Sequence, residues 1–306
     1  MRGPHFATLA SSEIAARFAG IVAGSGLSPQ RAPASPATRD DRVAAQSGGR
    51  PTRQRVSHGH PRARLTLAFA REAALAIAAV LAYFLVRGFT EGSRAEAVAN
   101  ARRLADLERV LHLSWEAQIQ EFIIGRPWLE TLGNWVYIWG HWPFIAVIAV
   151  WLFRCHRDRY YLVRNAFLVS GAIGLVVFAL FPVAPPRLAE MGLEDTVTQH
   201  SQSYRVLQPT AMVNQYAAVP SLHFGWNLLI GGAVVFLCRI RILKVLAACL
   251  TVSMLFAVVL TANHFVLDVV AGAGVALIGL AVSNQLSALP FLTGGVGVRG
   301  LPPNGH

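Results

Sequence analysis

The amino-acid sequence predicts an all-α polytopic membrane protein: a six-transmembrane-helix bundle with an extracytoplasmic amphipathic helix. Three observations carry this. The 306 residues are 54% hydrophobic and only 14% charged, with a mean hydropathy of +0.45, too apolar for an ordinary soluble domain. Six apolar runs, at 66–88, 130–153, 165–183, 220–238, 243–262 and 264–284, each approach the ~20 residues with which a helix crosses ~30 Å of hydrocarbon. Between the first two runs, Leu104, Leu107, Leu111, Trp115, Ile119 and Phe122 recur at helical spacing. Arg102, Arg103, Glu108 and Glu121 fill other faces, the pattern of a helix lying on the membrane surface or packed on the bundle as a lid or brace.

Along the chain, residues 1–64 are rich in Ala, Gly, Pro, Ser and Arg without sustained periodicity. Such a basic tail has too little apolar surface to offset the entropy of ordering and is expected to be disordered. Ile14 to Gly24 is weakly apolar, but Glu13 and Arg17 interrupt the pattern of a cleaved signal peptide. Residues 65–285 then form the transmembrane domain, and 286–306 a flexible C-terminal tail. In the first run Arg71 is expected to snorkel to the interface. The second holds Tyr137-Ile138-Trp139-Gly140-His141-Trp142-Pro143, where Pro143 predicts a kink and His141 a buried structural hydrogen bond. The third ends at Phe181-Pro182-Val183-Ala184-Pro185-Pro186-Arg187-Leu188. Prolines stop the helix there and leave Arg187 near the surface, able to fork onto phosphate oxygens. The fourth opens on Pro220-Ser221-Leu222-His223, with Pro220 fitting a first helical turn. In the sixth, Gly272 and Gly274 predict close helix contact.

Charge sets orientation and excludes some partners. The net charge of +11 forms no basic stripe interleaved with aromatics on a polar domain, so nucleic acid is not an expected partner. Arg154, Arg157, Arg159 and Arg164 join runs two and three, and Arg239, Arg241 and Lys244 join runs four and five. Lys/Arg excess marks cytoplasmic loops, so both termini are expected in the cytoplasm of a multi-pass cell-membrane protein. The 183–219 loop, Ser221, His223 and His264 then share the outer face. Cys155, Cys238 and Cys249 have neither metal-ligand spacing nor the even count of a disulfide framework.

An ionisable group at the end of a membrane span is by default a sign of function. His264 and Asp268 are four apart, so a helix would put them on one face about one turn from each other. The carboxylate can accept the ring N–H, fix the tautomer and leave the other nitrogen free to attack. His223, beside Ser221 Oγ and the unpaired N–H groups of a helix start, is placed to act as general acid to a leaving oxygen. These parts describe phosphoryl transfer through a phosphohistidine. The bland alternatives are a helix-packing hydrogen bond for His264–Asp268, a helix cap for Ser221 and His223, and a zinc site built from the two histidines and the aspartate.

The blocks FPVAPPRL, AVPSLHFGWN and TANHFVLDVVAG, in this order over residues 70–285, resemble the type 2 phosphatidic acid phosphatase superfamily. They look most like its inositol phosphorylceramide synthase, or inositolphosphotransferase, branch. The resemblance implies metal-independent chemistry without a cofactor, His264 as nucleophile, Asp268 as its partner, and His223 as acid/base beside Ser221. It implies a lipid phosphate or phospholipid substrate in the membrane and either water or a polyol such as inositol as acceptor. Two departures bear on substrate. The superfamily's Arg six residues before its nucleophilic histidine is Val258 here, and its first block has a Lys and an Arg-Pro where this chain has only Arg187. Phosphate must be held with fewer cations, from Arg187, Arg205 or Arg87, which tells against general soluble-phosphate hydrolysis. The synthase-like branch shares the missing arginine. The competing class is a non-enzymatic transporter or lipid-binding scaffold, but a transporter would more naturally show an internal repeat and helices broken near the midplane, and no repeat is present.

Overall fold

The computed structural model describes residues 61–89, 92–195 and 214–287. They form nine α-helices and, among the described residues, no strand. In chain order these are α1 (Pro61–Phe89), α2 (Arg94–Val110), α3 (Glu116–Ile123), α4 (Pro127–Trp139), α5 (Trp142–Cys155), α6 (Arg157–Leu180), a 3₁₀ turn (Pro186–Leu188), α7 (Leu222–Leu237), α8 (Arg241–Leu260) and α9 (Val266–Ser287). The N-terminal reading up to residue 60 and most of the C-terminal one lie outside the described residues.

All six apolar runs are helical, but by length and composition fewer than six are complete spans. Leu65–Val86, Arg157–Leu180, Arg241–Leu260 and Val266–Leu286 are long and apolar enough to cross a membrane. Helices α4 and α5 form a fifth only as a broken span, bent by 43°. The bend falls at Gly140 and His141, with Pro143 in the first turn of α5, because proline tolerates a helix start and not a helix interior. Helix α7 has 16 residues, about 24 Å at ~1.5 Å per residue. It starts at Leu222 behind the N-cap Ser221, so Pro220 precedes the helix instead of occupying its first turn.

Helices α6, α7, α8 and α9 make the centre, α6 packing along α9 and α7 between α8 and α9. Leu162, Ala166, Trp226, Leu229, Ala276 and Leu280 fill one buried cluster between them. Gly272 sits where a Cβ would overlap the Ser221 carbonyl, so backbone meets backbone at the start of α7; Gly274 faces open space and has no such role. Outward, Ile77, Leu81, Val147, Val176, Val252 and Ile278 are exposed, as expected of faces turned to lipid. Glu72 in α1 is paired with Arg164 Nη1 at 2.6 Å and accepts from Tyr160 Oη at 3.3 Å. A carboxylate inside an apolar run is thereby neutralised.

The expected amphipathic helix is two helices. The chain turns between α2 and α3 at His112, whose φ is 58°. The large apolar residues read as the membrane face are exposed at Leu107, Leu111, Trp115 and Phe122, whereas Glu108, Glu116 and Gln120 are buried. The reason is chemical: the two carboxylates find backbone donors on α9, and Gln120 brackets Glu194, donating to its carbonyl and accepting from its N–H. Ala97, Val98 and Ala101 supply the apolar contact, so the pair braces one end of the bundle.

Candidate active site

The turn between α8 and α9 shapes the first part of the site. Ala262, with φ 51°, bends the chain through the left-handed region, which costs a non-glycine residue about 1–2 kcal/mol. The bend lets the Ala262 carbonyl accept from Arg187 N–H at 3.1 Å while His264 N–H reaches the Val258 carbonyl at 3.0 Å. His264 Nδ1 lies 2.8 Å from the Ala218 carbonyl and 3.4 Å from Asp268 Oδ2. A carbonyl can only accept, so Nδ1 carries the hydrogen and Nε2 is left with its lone pair free. Asp268 is fully buried; its Oδ2 also accepts from Phe265 N–H at 2.9 Å, and its carbonyl accepts from Ser221 N–H at 2.9 Å. Asp268 is the neighbour expected, but His264 precedes α9, so the turn and not a shared helix face brings the two together, and a backbone carbonyl that sequence could not reveal joins them.

His223, second residue of α7, brings its ring centroid to 6.2 Å from that of His264. It is stacked on Tyr137 at 4.6 Å and packed against His141 at 4.3 Å. Beneath it Asn227 donates to His141 Nδ1 and to the His223 carbonyl, each at 2.9 Å. His141 is thus the buried, hydrogen-bonded structural residue expected, placed at the break in the α4–α5 span. Tyr137 and Asn227 are supports that the sequence analysis did not single out.

Arg187 comes from the 3₁₀ turn after α6. Its Nε donates to Asn263 Oδ1 at 3.0 Å, and its Nη1 pairs with Asp195 at 3.1 Å. The loop that carries it is tied down by Asn100 Nδ2 to the Pro182 carbonyl, Ala184 N–H to the Ala97 carbonyl, and Val183 N–H to the Tyr216 carbonyl. His223, His264, Arg187, Asn263, Tyr137 and Tyr83 line one small cavity of about 40 Å³. Ser221 is not among its lining residues; its Oγ is buried with no hydrogen-bond partner among the described residues. Arg205 lies outside the described residues, as does the side chain of Arg87. Val258 is fully buried in α8. Among the described residues no three His, Cys, Asp or Glu side chains gather as a metal site. A second, larger cavity of about 370 Å³ runs between α1, α5, α6 and α7, lined by side chains such as Ala79, Leu152, Phe167 and Trp226; Tyr83 borders both cavities.

Fold and site together define a helical membrane protein whose span ends bring two histidines, an aspartate and an arginine to one place. Residues 102–282, more than half of the chain, match the family model of the PAP2 superfamily. The chain therefore belongs to the PAP2 superfamily, a group of membrane phosphatases and phosphotransferases that act on lipid phosphates. No curated protein and no solved structure matches it.

Proposed function

We propose that this protein is a metal-independent lipid phosphotransferase or phosphatase of the inositolphosphotransferase type, working through a phosphohistidine at the extracytoplasmic face of the cell membrane. The observation that carries the reading is the 6.2 Å between the His223 and His264 rings in a cavity that Arg187 also lines. A near-attack approach of about 3–3.5 Å to phosphorus and a hydrogen bond of ~2.6–3.2 Å to its leaving oxygen fit that separation.

In the first half-reaction His264 Nε2 attacks phosphorus as the bond to the lipid oxygen breaks, and protonated His223 gives its proton to that oxygen. Positive charge on the phosphorylated ring is met by Asp268 and the Ala218 carbonyl through Nδ1–H. In the second, His223 takes the proton of the acceptor hydroxyl, the acceptor oxygen bonds to phosphorus, and His264 leaves. Water as acceptor makes the protein a phosphatase; a polyol such as inositol makes it a transferase. Arg187, with Arg205 from the outer loop, holds the phosphate, and Ser221, buried behind the cavity at the start of α7, does not reach it. The apolar cavity beside Tyr83 supports a substrate with a lipid chain. The reading takes six crossings, with α4–α5 as one and the short α7 as another, and with them α2 and α3 outside and both termini in the cytoplasm.

The test is to incubate the detergent-purified protein with lipid phosphates and phospholipids, with and without inositol and EDTA, following phosphate release and new lipid. Turnover should survive EDTA and vanish in His264→Ala. Quenched wild-type protein should carry an acid-labile, alkali-stable phosphoryl group that accumulates in His223→Asn. Activity abolished by EDTA, or retained by His264→Ala, would overturn the mechanism.

A further inference from the structure

Three carboxylates converge on consecutive N–H groups at the start of α9. Phe265 N–H donates to Asp268 Oδ2 at 2.9 Å, Val266 N–H to Glu116 Oε1 at 3.0 Å, and Leu267 N–H to Glu108 Oε1 at 2.7 Å. These are donors that a helix start leaves unpaired, and the positive end of the helix dipole favours anions beside them. Only Asp268 belongs to α9. Glu108 and Glu116 come from α2 and α3, are 1% and 6% exposed, and hydrogen-bond to each other. Two carboxyl groups in that contact cannot both be charged, so the pair keeps one proton. Burial above all, then the Glu116 contact, pushes Glu108 up to about 9 from its ordinary 4.5. The charged groups facing Glu108 are Glu116 from α3 and Asp268 from α9; on its own helix Asp106 and Arg109 pair with each other at the exposed surface.

We propose that Glu108 and Glu116 are positioning residues: a proton-sharing carboxyl pair that clamps the first turn of α9 and so holds Asp268 against His264. Neither lines the cavity formed by His223, His264 and Arg187, so they act on the reaction only through that turn. The shared proton makes the clamp possible, because it lets two acceptors sit side by side over adjacent N–H groups without mutual repulsion. Loss of the proton puts two anions in contact and drives α2 and α3 off α9.

The inference rests on His264 and Asp268 being the catalytic pair, and its test is built so that the two readings fail separately. The pH dependence of kcat and KM is measured for wild type, Glu108→Ala, Glu108→Gln and Glu116→Gln on whichever lipid phosphate the wild type turns over. Glu108→Ala should lose about 10²-fold in kcat, the scale of a misplaced reacting group, with KM little changed. Glu108→Gln keeps an acceptor for Leu267 N–H and a donor for Glu116, so it should restore kcat and lack the alkaline fall in kcat that wild type shows near pH 9. Glu116→Gln leaves no second carboxyl to repel Glu108 and should lose that fall as well. An unchanged kcat in Glu108→Ala, or an alkaline fall shared by wild type and Glu108→Gln, would overturn the clamp. Infrared spectra of the same proteins give a readout independent of turnover and of the alanine variant's folding. A protonated carboxyl band that titrates near pH 9 in wild type and is missing in Glu108→Gln supports the pair, and its absence from wild type overturns it. If no lipid is turned over, the proposed function fails, and the infrared band still decides the carboxyl pair.

Discussion

At His264 the ring is held twice, by the Ala218 carbonyl at 2.8 Å and by Asp268 at 3.4 Å, and the two partners do different work. The carbonyl is a dipole that fixes the tautomer whatever residue 268 is; in the proposed mechanism the carboxylate adds the charge that would stabilise a phosphorylated imidazolium. Asp268→Asn should therefore leave the ring in place, since an amide oxygen still accepts from Phe265 N–H, and lower kcat by roughly 10²-fold, short of the ~10⁴-fold seen where a triad aspartate alone sets the tautomer. A loss as deep as that of His264→Ala would mean that the carbonyl contributes nothing. Arg187 makes the complementary case. Its guanidinium is engaged by Asn263 through Nε and by Asp195 through Nη1, so an incoming phosphate competes with the Asp195 carboxylate for its charge. Asp195→Asn should lower KM at constant kcat. Arg187→Ala should raise KM by about 10- to 100-fold, the range of a lost charge-assisted hydrogen bond. Initial-rate measurements on both variants check the pair of expectations.

Among the elements, the least legible from sequence are α2 and α3. Counting apolar residues finds the stripe through Leu107, Leu111, Trp115 and Phe122, but it cannot find a buried carboxylate whose partner is a backbone N–H about 150 residues further along, as with Glu116 and Val266. The span ends were legible, because proline, histidine and aspartate at the edges of apolar runs have few structural uses. His223, His264, Asp268 and Arg187 were found that way; Asn263 and Asp195 were not, because polar residues in loops carry no periodic signal. The buried proton on Glu108 has a consequence for stability. The unfolded chain gives it up near 4.5 and the folded chain near 9. The stabilisation it brings is therefore complete below about 4.5, declines as pH rises, and is gone above about 9. The thermal midpoint in detergent should fall across that window in wild type and fall less in Glu108→Gln. Helix packing offers a second contrast. Gly272→Ala would drive a methyl into the Ser221 carbonyl, which cannot retreat without moving His223, and should cost about 1–3 kcal/mol. Gly274→Ala meets open space and should gain up to about 1 kcal/mol from helix propensity. Equal midpoints for the two variants would contradict this packing.

For the molecule as a whole, the ends of the helices decide on which side of the membrane the chemistry takes place. The α5–α6 turn is flanked by Arg154, Arg157 and Arg159, and the α7–α8 turn by Arg239, Arg241 and Lys244. From those turns α6 rises 24 residues to the Arg187 loop, and α8 rises 20 residues to the His264 turn. At ~1.5 Å per residue these are about 36 and 30 Å, a full hydrocarbon thickness. The basic turns and the histidines therefore lie at opposite ends of these helices, and the proposed orientation puts the turns in the cytoplasm because Lys/Arg excess marks cytoplasmic loops. The native cysteines report on this directly. Cys155 ends α5, Cys238 caps α7, and Cys249 is exposed midway along α8, where surrounding hydrocarbon keeps a charged, water-borne reagent from the thiol. In single-cysteine variants within sealed, right-side-out vesicles, a membrane-impermeant maleimide should leave all three unlabelled. Opening the vesicles should expose Cys155 and Cys238 while Cys249 stays protected. Labelling of Cys155 from outside would invert the molecule and move the phosphoryl chemistry to the cytoplasmic leaflet, with the geometry of the site unchanged and its lipid supply reversed.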